Sequence, residues 1–402
     1  LPALGPDPPH LHAREIDRAR PYLIAAGERA AHSYAIPVAV ARFERAIDGI
    51  DESTDINLVR RAYEGLGSAK ASAFDAPGAA EAYTQLLSAG EARDNTPMQV
   101  SATNKLGFLR GLFLGDREQG LKDLSSAEAL ARAQGDDAGL AEACILQCSL
   151  HTSSGEFEEA QAYMEEVIRI GESTEQHQAT LFGMTHLAST LTFLTRFDEA
   201  LEQAERTLTR AQELEEPKFQ AELLTFAIPI AHLQRGNSAA ATEALERGME
   251  IALRIGDRAS ETYGALLQGK AAMMQGDLEA GLALLHRSIE ASDATGLPFM
   301  IATSRGVTCG GYLQIGAPML HRALDLITET LQLMEAPTGR TNGAWLWSEL
   351  GACALAAGQI DQAEELFKLA LTEQTAPMYL MRPAALLGAC HVAIARDQLD
   401  DA

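Results

Sequence analysis

Residues 351–370 read GACALAAGQIDQAEELFKLA, and this stretch contains the pattern that decides the fold. Gly351 is followed seven residues later by Gly358, and Ala363 comes five residues after Gly358. From Ala363 to Leu371 the apolar residues recur at spacings of three and four, which is helical spacing. Glycine ends a helix without a steric penalty because it has no Cβ. The stretch therefore predicts two antiparallel helices joined by a turn at Gly358.

The position of Ala363 recurs along the chain at intervals of 40 to 42 residues. It is occupied by Ala39, Ala79, Gly120, Ala160, Ala200, Ala241, Gly281, His321 and Ala363. Such a period is typical of a solenoid, in which each unit stacks on its neighbours. Small residues suit a position where two helices approach closely, so the unit of His321 must pack differently. We predict an all-α chain, an α-α superhelix of nine to ten helix hairpins.

The residues around this repeated position resemble the tetratricopeptide repeat. One copy comprises Trp347, Leu350, Gly351, Ala363, Phe367, Ala370 and Pro377, and a second comprises Tyr63, Leu66, Gly67, Ala79, Tyr83 and Leu86. The unit is about six residues longer than the usual repeat. This length is similar to that of the helical sensor regions of large bacterial signalling ATPases, either of the maltose-regulon activator type or fused to an adenylyl-cyclase-like domain. Residues 23–47 resemble the first repeat after the ATPase module of that group.

The two ends of the chain differ in composition from the repeats. Residues 1–12 are rich in proline, which predicts an extended linker followed by a repeat domain over residues 13–402. Residues 399–402 resemble the start of another second helix, so we expect a domain truncated within a tenth repeat. The preceding helix would then lack cover on Leu386, Leu387, Val392 and Ile394. An uncovered apolar patch predicts weak self-association through this end.

Composition limits the classes of function. The formal net charge of −24 argues against nucleic-acid binding, which needs a clustered basic face. No apolar run is long enough to span a bilayer. Five widely spread cysteines do not form a disulfide framework and favour small packing residues in a reducing cytoplasm. We expect a cytoplasmic protein.

Motifs for catalysis, cofactors or metals are absent from the sequence. It contains no complete phosphate loop, no His-Glu-x-x-His and no Gly-x-Ser-x-Gly. Cys144, Cys148 and His151 fall on one helical face, but a structural zinc site needs four ligands and no second pair is evident. We therefore expect no cofactor, no metal and no catalytic residue, and any ATPase or cyclase activity would lie in another part of a longer protein.

In tetratricopeptide-like solenoids the first helix of each hairpin lines the concave face. Projection of the repeated pattern onto those helices gives candidate groove residues. They are Phe182, Thr185, Ser189, Thr192, Phe193, Tyr263, Lys270 and Trp345. The aromatic members have two interpretations, because rings at helical spacing commonly pack between repeats, whereas accessible rings would anchor an extended or helical peptide.

Some tetratricopeptide proteins grip a terminal carboxylate with Lys and Asn. Asn104, Lys105 and Lys270 are the candidates for such a clamp, but they lie in distant repeats, so we do not expect it to form. The resemblance implies a non-catalytic scaffold that binds a protein, a peptide or a small inducer as the sensor region of a multidomain bacterial signalling or transcriptional regulator. A free-standing assembly scaffold or peptide-binding adaptor, with no attached ATPase, is the alternative.

Overall fold

A computed structural model describes residues 9–32, 35–73, 75–295, 298–334, 344–371 and 382–396. This part of the chain is helical and contains no β-strand. In chain order the α-helices are α1 (Pro9–His32), α2 (Ile36–Ile47), α3 (Ile56–Ser72), α4 (Ala76–Ala92), α5 (Thr96–Leu112), α6 (Arg117–Gln134), α7 (Asp137–Ser153), α8 (Phe157–Ser173), α9 (His177–Phe193), α10 (Phe197–Glu213), α11 (Pro217–Thr225), α12 (Ala227–Gln234), α13 (Ser238–Ile255), α14 (Arg258–Met274), α15 (Leu278–Thr295), α16 (Pro298–Ile315), α17 (Leu320–Met334), α18 (Ala344–Ala356), α19 (Ile360–Leu371) and α20 (Arg382–Ala395).

Consecutive helices pair as antiparallel hairpins, which confirms the predicted fold class. The chain divides into two compact units, unit 1 over residues 1–147 and unit 2 over residues 148–402. In unit 1 the hairpins are α1/α2, α3/α4 and α5/α6. In unit 2, α9 pairs with α10, α11 and α12 together pair with α13, and α14, α16 and α18 pair with α15, α17 and α19. The first helices α9, α11, α14 and α16 also contact one another in sequence order and form a continuous face of unit 2.

The turns within the hairpins require a left-handed backbone. The predicted turn residue Gly358 has φ 75°, and Gly115, Gly155, Gly236 and Gly276 occupy the corresponding turns with φ between 69° and 87°. A residue without a Cβ adopts this region freely. Thr195 occupies the same place between α9 and α10 at φ 60°, and a β-branched residue is strained there. This hairpin therefore forms despite its turn residue.

Small residues are buried at the predicted hairpin contacts. Ala160 and Ala241 are fully buried, and Ala200 is almost fully buried. A Cβ added to Gly120 would lie 2.6 Å from the carbonyl oxygen of Gly107, closer than real Cβ atoms come. The close helix approach inferred from the sequence is therefore a property of the structure.

His321 is exposed and does not occupy the hairpin contact. A short 3₁₀ helix, Ala317–Met319, precedes α17, and the buried small residue is Ala323 instead. The carbonyl oxygen of Ala323 lies 3.6 Å from Sγ of Cys309 on α16. The interval from Gly281 to this residue is 42. The assignment of His321 to the repeated small position was wrong, because the extra turn shifts the register by two residues.

The ends of the described chain add detail to the predicted boundaries. Helix α1 begins at Pro9, so residues 9–12 are helical although they were assigned to the linker, and residues 1–8 lie outside the described residues. On α20, Leu386, Leu387 and Ile394 are exposed, whereas Val392 is buried. Residues 397–402, including the expected start of a further helix, also lie outside the described residues.

Candidate ligand-binding face

Helix α9 presents a narrow accessible stripe on unit 2. In the fully described segment from Thr180 to Thr192, only Phe182, His186 and Ser189 are accessible. Their spacings of four and three place them on one helical face, and Phe193 continues it. Three of the predicted groove residues, Phe182, Ser189 and Phe193, are thus brought together, and His186 lies between them.

Thr185 and Thr192 do not belong to this stripe, so their assignment to the groove is corrected. Thr192 is fully buried, and its hydroxyl donates a hydrogen bond to the carbonyl oxygen of Ala188 at 2.9 Å. Thr185 is 1% exposed, and its carbonyl oxygen accepts a 3.3 Å hydrogen bond from the Ser189 hydroxyl. Both threonines fall on the flank of α9 that packs against neighbouring helices, because helical spacing rotates them away from the accessible stripe.

Four aromatic rings form a row across unit 2. The Phe157 and Phe193 rings stack with centroids 5.0 Å apart. The Phe226 ring meets Phe193 edge-on at 5.9 Å and Tyr263 edge-on at 5.0 Å. Phe157 is buried, whereas the other three rings are partly accessible. We call these four residues the aromatic row. The rings pack against one another and are still partly accessible at three positions, so packing between repeats does not remove them from the surface.

Phe226 enters the row because a proline interrupts its helix. Pro229 has no N–H to donate to the carbonyl of Thr225, and its ring would clash with that carbonyl in a continuous helix. The chain therefore breaks between α11 and α12 at Phe226, which has φ −133° and ψ −80°. The helix resumes when Ile230 N–H donates to the Phe226 carbonyl at 3.2 Å. In the sequence, Ile228-Pro229 stands where the copy around Trp347 has Leu350-Gly351, and this proline is the signal that could have located the break.

Charged and ionisable side chains lie beside the aromatic row. The His186 ring packs against Phe182 with centroids 4.1 Å apart, and its Nε2 lies 3.8 Å from Oε1 of Glu222 on α11. Burial, with Lys218 nearby, lowers the pKa of His186 to about 4. Burial raises the pKa of Glu222 to about 6, and Lys218 only partly offsets this. At neutral pH the imidazole is therefore neutral and Glu222 is mostly ionised.

Tyr263 closes the site on α14. Burial and the Glu222 carboxylate raise the pKa of its phenol to about 12. No described residue forms a hydrogen bond with this hydroxyl. The sequence analysis named Tyr263 as a groove candidate, and it did not name His186, Glu222 or Phe226, which lie beside it.

The remaining predicted groove residues lie elsewhere on unit 2. Lys270 on α14 pairs with Glu349 on α18 at 3.5 Å, so its charge is already matched. Trp345 falls in α18, and its side chain lies outside the described residues.

In unit 1 the candidates for a carboxylate clamp belong to a polar network in which Lys105 is paired, while Oδ1 of Asn104 is buried without a hydrogen-bond partner. The Lys105 ammonium donates to Oε1 of Glu142 and to Oγ of Ser101, both at 2.7 Å. Ser101 in turn donates to Glu64 at 2.5 Å. Burial alone would raise the pKa of Glu64, but Lys105, Ser101 and Arg60 hold it below its usual value. Lys105 is therefore neutralised within the protein.

The Asn104 amide belongs to the same network. Asn104 is fully buried, and its Nδ2 donates to the Gly139 carbonyl at 3.1 Å.

Two of the three candidate metal ligands contact other side chains. His151 Nδ1 lies 2.6 Å from Glu156 Oε2, while Cys148 is buried with its Sγ 3.8 Å from the Thr152 hydroxyl. Among the described residues no group of three His, Cys, Asp or Glu side chains is arranged to hold a metal ion.

Residues 142–213 match the family model of the tetratricopeptide repeat. This segment contains tetratricopeptide repeats. No curated protein matches the chain in sequence. A tetratricopeptide-like array implies a protein-interaction scaffold. Within the described ranges, no helix has the length and apolar composition to cross a membrane.

Solved structures share this repeat architecture. A Rap protein complexed with competence and sporulation factor aligns with 93% of this chain and 99% of its own, at a TM-score of 0.58 and 13% identity. The Rap conjugation gene regulator of plasmid pLS20, in complex with the Phr* peptide, aligns with 73% of this chain and 80% of its own, at a TM-score of 0.50 and 14% identity. At these identities the similarity shows the fold alone.

A third solved structure is similar at a lower score. It is a Signal Transduction ATPase with Numerous Domains from Pyrococcus horikoshii, which carries a tetratricopeptide repeat sensor. It aligns with 90% of this chain and 55% of its own, at a TM-score of 0.49 and 13% identity.

Proposed function

We propose that this chain is a non-catalytic scaffold that binds a protein or peptide segment across the accessible side of the aromatic row in unit 2. The observation that carries the proposal is the partial exposure of Phe193, Phe226 and Tyr263 in one continuous row. Rigid aromatic side chains supply much of the binding energy in protein recognition, because they bury a large area with little loss of conformational entropy.

Polar groups beside the row suit the backbone of a bound segment. The Ser189 hydroxyl is accessible, and the Tyr263 hydroxyl forms no hydrogen bond with a described residue. Grooves that bind peptides combine apolar pockets with a few such polar groups. The pLS20 regulator, a neighbour in fold, was solved with a peptide. This neighbour supports the choice of a peptide over other ligands, and a small inducer is a further candidate.

Peptide selection followed by measurement of affinity tests this proposal. Displayed random peptides are selected on the wild-type protein, and the selected peptides are measured by fluorescence anisotropy. We expect Phe182→Ala and Tyr263→Ala each to weaken binding about tenfold or more. Tyr22→Ala is the control, because Tyr22 is an exposed aromatic of unit 1. Equal affinities for all four proteins would contradict binding at this face.

We further propose that the scaffold is the sensor region of a cytoplasmic multidomain bacterial regulator. The support is the resemblance of residues 23–47 to the repeat that follows the ATPase module of such regulators. In that case ligand binding biases an attached ATPase. An immunoblot of a lysate of the source cell with an antibody against unit 2 tests this proposal. We expect a band at a mass much larger than 43.0 kDa, whereas a band near this mass would favour the free-standing adaptor.

Weak self-association through α20 also stays a prediction. The exposed side chains Leu386, Leu387 and Ile394 support it. Sedimentation velocity over a range of concentrations measures it, and Leu387→Asp is expected to shift the protein toward the monomer.

A further inference from the structure

The Glu222 carboxylate lacks a partner of opposite charge within the site. Its side chain is 34% exposed, and its contact with His186 at 3.8 Å is too long for a hydrogen bond. His186 is neutral at pH 7 and cannot balance the charge. Lys218 lies one helical turn away and is exposed, and no ion pair within 4.0 Å joins it to Glu222. This differs from Lys105 and Lys270, which both lie against carboxylates.

The same carboxylate lies near aromatic side chains of α9, of α14 and of the break between α11 and α12. His186, its contact on α9, packs against the Phe182 ring. Phe226 follows Glu222 by four residues. Tyr263 on α14 meets Phe226 edge-on, and the Glu222 charge contributes to the raised pKa of its phenol. The π faces of aromatic rings attract cations, and a carboxylate among such rings adds direct Coulomb attraction.

We infer that Glu222 is the anchor for a basic side chain, Lys or Arg, of the bound segment, held beside the aromatic rings of α9, of α14 and of Phe226 at the break between α11 and α12. This inference rests on the proposed function and names the class of ligand. An acidic anchor would be repelled by Glu222, and a purely apolar anchor would leave the carboxylate desolvated without a partner. The net charge of −24 also attracts basic segments at long range.

A positional peptide library tests the inference. The probes are capped heptapeptides in which one position is fixed as each amino acid in turn and the others are randomised. Wild-type protein, Glu222→Gln and Glu202→Gln are compared. Glu202 is an exposed carboxylate on α10, outside the row, so its replacement changes the net charge equally. A cooperative thermal unfolding transition, monitored by circular dichroism, verifies that each variant is folded.

We expect wild type and Glu202→Gln to retain peptides with Lys or Arg enriched at one position, and Glu222→Gln to lose that enrichment. For the best single peptide, replacement of Arg by citrulline keeps the shape and removes the charge. We expect this change to weaken binding to wild type about tenfold or more, and to have little effect on Glu222→Gln.

The outcomes separate the inference from the proposed function. If the wild type retains no peptide, the proposed function fails and the inference fails with it. If peptides bind without basic enrichment, or with the same enrichment in Glu222→Gln, the inference alone is overturned. If citrulline and Arg peptides bind the wild type equally, the cation is not the anchor, although peptide binding stands.

Discussion

The first helices of unit 1 and unit 2 use charged residues in opposite ways. On α5 of unit 1, Lys105 is bound by Glu142 and Ser101, and Ser101 continues the network to Glu64. In unit 2, Glu222 has no partner of opposite charge within ion-pair distance among the described residues, and Tyr263 has no described hydrogen-bond partner. One set of groups is satisfied within the protein, whereas the other is not.

In this repeated scaffold, the polar groups that stabilise the repeats are therefore different from the polar groups that the proposed ligand would contact. Buried polar groups are hydrogen-bonded in most proteins, and unsatisfied ones cluster where a ligand completes them. A lysine or asparagine at a groove position is therefore a poor guide to binding unless its neighbours are known. The following substitutions test the comparison.

The largest expected effect is in the polar network of unit 1. Lys105→Met leaves Glu64 and Glu142 without their shared cation, and we expect a loss of about 2 kcal/mol in the free energy of unfolding. Urea denaturation measures it. Lys122→Met is the control, because Lys122 and its partner Glu118 are exposed on α6 and little change is expected. If both variants lose equally little stability, the pairing of Lys105 does not stabilise unit 1.

The pH dependence of stability distinguishes the two ionisable groups of unit 2. Glu222 has a folded pKa of about 6, raised from 4.5, so the folded state takes up the extra proton and stability rises as the pH falls through this window. His186 has a folded pKa of about 4, lowered from 6.5, so the unfolded state takes up the proton and stability falls as the pH falls from 6.5 to 4.

These two contributions oppose each other between about pH 6 and pH 4.5. Glu222→Gln removes the stabilisation gained when Glu222 is protonated, so the melting temperature of this variant should fall more steeply with acid than that of wild type. His186→Gln removes the loss of stability caused by protonation of His186 in the unfolded state, so the melting temperature of this variant should fall less steeply. The groups facing Glu222, namely Lys218, Asp257 and Tyr263, remain in both variants. If the melting temperatures of all three proteins change with pH in the same way, the two opposing contributions of Glu222 and His186 are contradicted.

A smaller effect is expected in the backbone that supports α9. Thr195→Gly relieves a β-branched residue at φ 60°, and we expect a gain of about 0.5 to 1 kcal/mol. Gly155→Ala makes the reverse change at the matching turn, where φ is 69°, and should cost about 1 kcal/mol. Ligand affinity should change in neither variant. A loss of stability in Thr195→Gly would show that the threonine makes a contact stronger than its strain.

The smallest effect on stability concerns a single hydroxyl. Tyr263→Phe removes a phenol that no described residue binds, so the free energy of unfolding should change by less than about 0.5 kcal/mol. Tyr312→Phe is the matched control, because its hydroxyl lies 2.7 Å from Nε2 of His286 and the side chain is buried. This variant should lose about 1 kcal/mol. Similar losses in both would contradict an open hydroxyl in the aromatic row.

The repeats could be predicted because they depend on local patterns. Small residues such as Ala160 and Ala241, turn glycines and helical spacing recur in most repeats, and together they place the hairpins. His321 was misassigned because a 3₁₀ turn inserts two residues without a distinctive sequence. A pattern with a fixed interval cannot detect such a shift until the burial of Ala323 is known.

The candidate site was only partly predictable, because it depends on contacts between neighbouring repeats of unit 2. Phe182, Ser189, Phe193 and Tyr263 were found from their place in the repeat. Glu222 and His186 acquire their role from each other, across two helices that the pattern treats separately. Phe226 was missed because a projected continuous helix turns it elsewhere, whereas the break at Pro229 places it in the row.

That break also has a consequence for cooperativity. It divides one first helix into segments of nine and eight residues, each shorter than the roughly 12 to 15 residues that an isolated helix needs in water. Their order therefore depends on neighbouring helices and on whatever packs against Phe226. If the proposed segment binds against Phe226, it would supply part of the free energy that keeps the two segments folded. Recognition and folding would then be thermodynamically linked in this repeat, and neighbouring repeats would gain stability when the site is occupied.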